Sequence, residues 1–278
     1  MVKHILKNLK DTIKKSKLSI MAILIILIFT ILSIFAFISP YEANGIELIS
    51  RLQPPSKTHW FGTDNMGRDY FTRILYGGRI SLSVGFLSML ISTTIGTIVG
   101  TVCGYFEGKL DSIIMRIVDI LMCIPSFFII LILNSYFKTG IVTIVCIIGL
   151  LGWMGTSRLV RAQTLSVKKQ EYVLYAQSLG MPVHKIILRH IIPNILPTII
   201  ITSSISIAGA ILTESSLSFL GVGISDPMAS WGSMLSMSQA HIENQIYLSI
   251  FPGMFILLTV LSFNVIGNII RDSLEGKS

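Results

Sequence analysis

The chain has 278 residues, of which 52% are hydrophobic and only 13% are charged, and its mean hydropathy is +0.75. These values exclude an ordinary soluble domain, because such a chain has too little polar surface to face water. The formal net charge is +8, and we expect it to reflect membrane topology, without a nucleic acid partner.

Six apolar segments are each close to the ~20 residues that a helix needs to cross the hydrocarbon of a bilayer. In chain order they are residues 18–39, 81–106, 120–137, 139–157, 191–213 and 244–270. The third is the shortest, and we expect it to begin near Ile113 and to include Arg116 and Asp119 as an i,i+3 ion pair near the membrane surface. The sequence thus predicts an all-α membrane protein with six transmembrane helices.

A basic stretch precedes the first segment and consists of Lys3, Lys7, Lys10, Lys14, Lys15 and Lys17. A secretory signal peptide begins in the same way, but its apolar core has only ~7–15 residues. The first segment is longer than that, and Ile38-Ser39-Pro40 is a poor cleavage site. We therefore interpret this segment as a retained anchor.

A second basic stretch lies between the fourth and fifth segments, at residues 158–190. Its cations are Arg158, Arg161, Lys168, Lys169, Lys185 and Arg189. Because Lys and Arg are concentrated in short cytoplasmic loops, we expect both basic stretches and both termini in the cytoplasm. The loops around 40–79, 138 and 214–243 are then external, although 40–79 also contains cations that are partly offset by acids.

The spans themselves show little sign of chemistry. Ion-coupled carriers keep ionisable side chains inside the membrane, whereas Asp119, Arg158 and Glu214 fall near the ends of segments. No HExxH or GxSxG motif occurs, and the terminal Glu-Gly-Lys-Ser lacks the second glycine of a phosphate-binding loop. We predict no catalytic residue and no nucleotide site in this chain.

Other patterns in the apolar segments are typical of packing. Thioethers and imidazole can bind a soft metal, but the spacing of Met234, Met237 and His241 is more typical of a packed helix face. The three cysteines lie in predicted spans, where a thiol acts as a small apolar group: Cys103, Cys123 and Cys146. The small-xxx-small pattern predicts close helix contact: Gly96, Gly100 and Gly104. We therefore predict no metal site.

The second basic stretch also contains two short helical patterns. In 171–179 the apolar positions follow helical spacing and leave Glu171, Gln177 and Ser178 on the other side: the apolar residues are Tyr172, Val173, Tyr175, Ala176 and Leu179. Gly180 suits the left-handed position after a helix, and Pro182 suits the first turn of the next one.

The second of these helices has two different faces. Its apolar face lies opposite Lys185 and Arg189 and consists of Val183, Ile186, Ile187 and Ile191. Pro193 and Pro197 then mark the start of the following span. We expect this helix-turn-helix to dock another protein. A helix lying on anionic lipid is the alternative, but such a helix usually runs in one piece, and this one is broken at Gly180.

The stretch EYVLYAQSLGMPVHKIILRHIIPNILP (171–197) resembles the cytoplasmic signature loop of the permeases of ABC importers. That pattern is Glu-Ala-Ala, three residues, Gly, nine residues, then Ile-x-Leu-Pro. Ala176, Gly180 and Pro193 match it, whereas the other signature positions differ here: Leu174 and Tyr175 replace the Glu and the first Ala, His190 replaces the Ile, and Ile192 replaces the Leu.

Three further stretches narrow the resemblance to the C-type subunits of dipeptide and oligopeptide permeases. They are HWFGTDNMGRDYFTRILYGGRISLSVG (59–85), MRIVDILMCIP (115–125) and TESSLSFLGVGISDPMASWGSML (213–235). The resemblance covers roughly residues 55–272 and implies a type I ABC importer permease fold with a cytoplasmic coupling helix. It divides the chain into 1–76, with the arm, first helix and external loop, and 77–272, the permease core.

The resemblance also implies partners and site residues. Such a subunit pairs with a homologous permease as a heterodimer in the bacterial cytoplasmic membrane, two cytoplasmic ATPases that use ATP and Mg²⁺ dock on the loops, and an external binding protein delivers cargo. No cofactor is expected in this chain. The implied docking residues are Glu171, Tyr172, Tyr175, Ala176, Gly180, Pro182, Lys185, Arg189 and Pro193. An external vestibule is expected from 59–79 and 213–235, including Asp64, Arg68, Asp69 and Trp231, with structural salt links favoured over cargo contact.

The implied activity is ATP-driven import of di- or oligopeptides, and the ATPase sites belong to the partners. Two alternatives stay open on the sequence: the same machinery carrying nickel or a metal chelate, and a stand-alone channel or ion-coupled carrier.

Overall fold

The computed structural model describes residues 16–137 and 140–275. The basic arm before Ser16, the expected start of the fourth span at Thr139 and the terminal Gly-Lys-Ser lie outside the described residues. Within them the chain forms α-helices joined by turns and by two longer connections, residues 35–69 and 220–230, and no strand occurs. The helices are α1 (Lys17–Ile34), α2 (Tyr70–Phe106), α3 (Gly108–Met122), α4 (Ser126–Tyr136), α5 (Ile141–Lys168), α6 (Glu171–Ser178), α7 (Val183–Ile186), α8 (Ile192–Phe219), α9 (Trp231–Ser238) and α10 (Tyr247–Glu275).

Five helical segments of the described chain are long and apolar enough to cross a membrane. They are Lys17–Ile38, Tyr70–Phe106, Ile141–Lys168, Val183–Phe219 and Tyr247–Ser273, and the bent pair of α3 and α4 makes a sixth if it is counted as one span. The predicted all-α architecture with six spans agrees with this arrangement.

The third span is not the single helix that apolarity predicted. It is broken between Met122 and Ser126, and its two halves are bent by 79°. Pro125 explains the break, since proline has no N–H to donate and disfavours a helical conformation in the residue before it. Cys123 therefore lies at the break and is exposed.

The second span begins eleven residues earlier than expected, at Tyr70 and not at position 81. Asp69 caps this helix by accepting from the backbone N–H of Thr72 at 2.8 Å. The two arginines in the first turns of this helix, Arg73 and Arg79, each have hydrogen-bond partners. The Arg79 guanidinium, for example, donates to the carbonyl of Ser33 in α1 at 2.5 Å. The predicted boundary between residues 1–76 and the permease core, 77–272, consequently lies inside α2.

The fourth span also continues beyond its predicted end, through the first eleven residues of the basic stretch, to Lys168. The cations of this extension pair with acids in or just before α3: the pairs are Arg158–Asp119, Arg161–Asp111 and Lys168–Glu107. The predicted pair of Arg116 and Asp119 is therefore wrong, because Asp119 pairs with Arg158. These three ion pairs fasten α3 and the turn before it to the end of α5.

The pair of α2 and α5 is the most extensive helix contact of the described fold. A Cβ atom at Gly100 would lie 2.5 Å from the Ser157 carbonyl oxygen, and one at Gly104 would lie 2.7 Å from the Thr164 Cβ. These glycines let the two backbones approach closely, so the predicted small-xxx-small contact is confirmed. Around this pair, α8 packs on α2, α5 and α10, and α1 packs on α10 and α2.

Candidate functional site

A sharp helical turn joins α6 to α7. Gly180 has φ +70°, and its N–H donates to the Gln177 carbonyl at 2.9 Å while the N–H of Met181 donates to the Ala176 carbonyl at 3.1 Å. These two bonds define a Schellman turn, which requires a left-handed residue and favours glycine. The predicted left-handed Gly180 is confirmed. Pro182 is the N-cap of α7, immediately before the first turn in which it was expected.

From Val183 to Phe219 the chain is helical without a loop. A π-helical turn, Ile187–Ile191, joins α7 to α8, and Pro193 lies in the first turn of α8, where its missing N–H is tolerated. We call residues 171–191 the corner. Because α7 is continuous with a span, a displacement of the corner acts directly on α8.

One side of the corner is packed against the ends of three spans. Val173 of α6 and Ile186 of α7 are fully buried in one apolar cluster with Tyr105 of α2 and Val160 of α5. Burial of a side chain of this size stabilises the fold by ~1.5–3 kcal/mol. The corner is therefore seated firmly on the helix bundle.

The other side of the corner is exposed and largely apolar. Tyr175 is 68% exposed, and Leu179 is 66% exposed. The single apolar face predicted for α6 is thus wrong in detail: only Val173 and Ala176 are buried, and Gln177, expected on the polar side, is half-buried and reaches the Tyr105 hydroxyl at 3.4 Å. The prediction of Ala176 as a docking residue is wrong, because this side chain is buried against the bundle. The remaining predicted docking residues are exposed: Glu171, Tyr172, Gly180, Pro182, Lys185, Arg189 and Pro193.

Polar contacts brace the base of the corner. The Lys168 ammonium donates to the Tyr105 carbonyl at 2.7 Å and to the Glu107 carboxylate at 2.8 Å. The hydrogen bond and charge of Lys168 hold the pKa of Glu107 below its usual value. These contacts join the end of α5 to the end of α2, directly beneath α6.

A buried ionic network lies at the opposite end of the bundle. Arg68 donates to Asp64 at 2.6 Å and to Asp226 at 3.2 Å, and Arg73 of α2 donates to Asp226 at 3.1 Å. Asp64, Arg68 and Arg73 are each at most 4% exposed. The structure thus contains the expected link between Asp64 and Arg68, and it ties loop 40–69 to the loop after α8.

Two further vestibule residues are buried as well. Asp69 caps α2 and lies 3.0 Å from Nδ1 of His59. Trp231 at the start of α9 is fully buried, and its indole N–H donates to the Ile74 carbonyl at 3.0 Å. Asp69 thus holds the start of α2 in place, and Trp231 holds the start of α9 against α2. Met234, on the same helix as Trp231, packs in an apolar cluster with Tyr70 and Leu248.

Three ionisable residues have partners that the sequence does not indicate: Arg73 and Glu214, which are buried, and Asp226, which is exposed. Arg73 falls in a predicted loop, Glu214 falls near a predicted span end, and no role is predicted for Asp226. In the structure Glu214 is fully buried in α8, where its carboxyl group accepts from Ser81 at 3.1 Å and from Ser218 at 2.7 Å. Hydroxyl residues near a lone carboxylate within an apolar sequence were the only signal that could have indicated such a cluster.

Comparison with known proteins gives consistent matches along the chain. The family described as "Binding-protein-dependent transport system inner membrane component" matches residues 96–277. The chain is 38% identical to the oligopeptide transport system permease protein OppC of Bacillus subtilis, covering 95% of this chain and 87% of that protein. It is 40% identical to the dipeptide transport system permease protein DppC of the same organism, covering 95% and 83%, and 42% identical to OppC of Haemophilus influenzae, covering 88% and 80%.

Solved structures of the MetNI methionine ABC transporter in inward-facing conformations share the fold. Two crystal forms match with TM-scores of 0.59 and 0.60 at 17% and 16% identity, covering 71% and 72% of this chain and 94% and 95% of the matched chain. At this identity the likeness concerns the fold alone, and it confirms the predicted permease architecture.

Proposed function

The chain belongs to the family of binding-protein-dependent transport system inner membrane components, and from that membership we propose that it is a permease subunit of an ATP-driven peptide importer. The observation that carries the proposal is the similarity over nearly the whole chain to permeases named for oligopeptide and dipeptide transport. Nickel or a metal chelate is not favoured as cargo, because these relatives are named for peptides. A stand-alone carrier or channel does not agree with the family.

The proposed place of the chain is the bacterial cytoplasmic membrane, which it crosses several times. The corner and both termini would face the cytoplasm, because the flanks of the corner hold Arg158, Arg161 and Lys168. The network around Arg68 and Trp231 would face outward, where it holds the external loops in position for a substrate-binding protein. Its buried ion pairs support a structural role over direct contact with cargo.

The proposed partners are a homologous permease, two ATPases and the binding protein. ATP and Mg²⁺ would be used by the ATPases and not by this chain. The exposed side of the corner supports docking, since Tyr172, Tyr175 and Leu179 offer an apolar surface beside the cations Lys185 and Arg189. Aromatic and Arg side chains are enriched at interface cores. Because its apolar surface is bordered by cations, the exposed side of the corner would fit a cleft of the ATPase that has acidic residues at its edges.

The geometry of the corner suggests how closure of the ATPases would reach the membrane. The exposed side would be held by an ATPase, while the buried side is fixed to α2, α5 and α8 by Val173 and Ile186. Because α7 continues into α8, a pull on the corner would act on α8 as a lever. Differential contact of a few kcal/mol is enough to shift a two-state equilibrium substantially.

Reconstitution tests the proposal. The complete importer in proteoliposomes, supplied with its binding protein, should accumulate di- to oligopeptides only when ATP is present, and the isolated chain should accumulate none. Calorimetry on the binding protein should show heat with peptides and none with Ni²⁺. Unaided transport by the isolated chain, or a binding protein that takes Ni²⁺ and no peptide, would contradict the proposal.

A further inference from the structure

A polar cavity lies among four membrane helices. It has a volume of about 200 Å³ and is lined by α2, α4, α5 and α8. Five hydroxyl residues line it: Ser88, Ser92, Ser126, Ser206 and Thr213. None of the lining residues described for this cavity has an ionisable side chain. The polar side chains of this cavity are therefore all neutral hydroxyl groups.

Water fits this cavity better than lipid does. Its volume is far above the ~10–15 Å³ that one water needs, and polar cavities of this kind are hydrated. The cavity also reaches Ser126, the first residue after the break in the third span. Interrupted backbone at membrane depth is tolerated only where it is buried in protein or lines a water-filled space. The break in the third span therefore opens on the same polar space, as such a break can when that space holds water.

The hydroxyl groups have acceptor capacity to offer. Ser88 donates to the Val145 carbonyl at 3.2 Å, Ser92 to Met89 at 3.1 Å and Thr213 to Gly209 at 2.8 Å. A hydroxyl has one proton and two lone pairs, so these oxygens can still accept hydrogen bonds after donating to the backbone. Their natural ligands are N–H groups.

Gly209 keeps one side of the cavity open. A Cβ atom there would meet nothing within 4 Å, in contrast to Gly100, where a Cβ would collide with the neighbouring helix. Gly209 is therefore not required for helix packing. Two of its neighbours on α8 are large and exposed and do not line the cavity: Ile205 and Leu212.

We propose that this cavity is the part of the peptide pathway that the subunit contributes, its hydroxyl oxygens accepting hydrogen bonds from backbone N–H groups of the passing peptide. This inference rests on the proposed function. Every peptide has these N–H groups whatever its side chains, and an uncharged lining does not select by side-chain charge. Neutral hydrogen bonds are also weak enough to release the peptide, as a pathway requires.

The first test uses uptake by the complete importer with an unchanged binding protein. The double variant Ser206→Ala, Thr213→Val should reduce kcat/KM for peptide uptake about tenfold, the effect of losing two ordinary hydrogen bonds. Ser204→Ala is the matched control, because Ser204 is on the same helix, donates to Ile200 and lies against Gly267 of α10. Its uptake should equal that of the wild type.

A second pair of variants tests the space itself. Gly209→Leu should block uptake while the complex still assembles, and Gly253→Leu in α10, where a Cβ has only one neighbour at 4.0 Å, should leave uptake intact. Unchanged uptake in Gly209→Leu, or equal loss in both leucine variants, would overturn the inference.

Thiol labelling separates this inference from the proposed function. With Cys103, Cys123 and Cys146 replaced by alanine, Ser206→Cys in open membranes should react rapidly with a charged methanethiosulfonate, and Ile205→Cys, outside the cavity, should react slowly. Equal slow reaction would overturn the hydrated cavity even if wild-type uptake is normal. If the wild-type importer carries no peptide, the proposed function fails and the peptide pathway fails with it, whatever the labelling shows.

Discussion

A substitution at Gly180 tests whether the turn between α6 and α7 is needed for coupling to the ATPases, as distinct from stability alone. Gly180→Val forces a β-branched residue into a left-handed conformation, which costs ~1–2 kcal/mol. No steric term adds to this cost, because a Cβ at Gly180 meets nothing within 4 Å. The loss is small beside a total stability of about 5–15 kcal/mol, so the variant should insert and fold.

A second glycine provides a matched control. Gly221, after α8, has φ +79° and open space around its Cβ, and its N–H donates to Ser218 while the N–H of Val222 donates to Leu217. This is the same Schellman turn at the opposite end of the bundle. Gly221→Val should therefore lower stability by the same amount as Gly180→Val.

The two variants should differ in coupling. A distortion of ~1–2 kcal/mol in the corner corresponds to a factor of about 5–30 in an equilibrium constant, so Gly180→Val should weaken ATPase binding by that factor and reduce ATP-driven uptake accordingly. Gly180→Asn should stay near the wild type, because Asn tolerates the left-handed region. The assays are thermal unfolding in detergent, ATPase affinity for the permease and peptide uptake. Equal ATPase affinity in both valine variants, or full uptake by Gly180→Val, would refute the role assigned to the turn.

Three other substitutions test different parts of the structure. Tyr175→Ser, at a 68% exposed position, should change stability by less than about 0.5 kcal/mol yet reduce co-purification of the ATPases; unchanged co-purification would contradict docking there. Gly100→Val would place a Cβ 2.5 Å from the Ser157 carbonyl and should cost ~1–3 kcal/mol of stability in detergent, whereas Gly155→Val, with open space, should cost less; equal losses would contradict close packing. Asp64→Asn leaves a buried guanidinium with a weaker partner and should destabilise by up to ~3–5 kcal/mol; a variant that melts like the wild type would show that the network is not structural.

The sequence by itself determined that the chain lies in a membrane, roughly which residues span it, and where along the chain the corner lies. These features depend on local properties: a run of apolar residues is expelled from water wherever it occurs, and a glycine such as Gly180 can adopt a left-handed conformation at little cost whatever surrounds it. Tyr175 and Lys185 are exposed, as a docking role requires, and that role stays a prediction.

Only the tertiary structure decided which ionisable residues are paired and which faces are buried. From the sequence, Arg73 is expected in a polar loop, and only the structure places Asp226, which is distant in the chain, beside it. The spacing of residues likewise does not show that Asp119 pairs with Arg158. Val173 of α6 is buried because it packs in one cluster with Tyr105 of α2 and Val160 of α5. The spacing of apolar residues along α6 does not show where those two side chains lie. A charge or an apolar side chain takes its role from its neighbours in space, and for this chain those neighbours come from other helices.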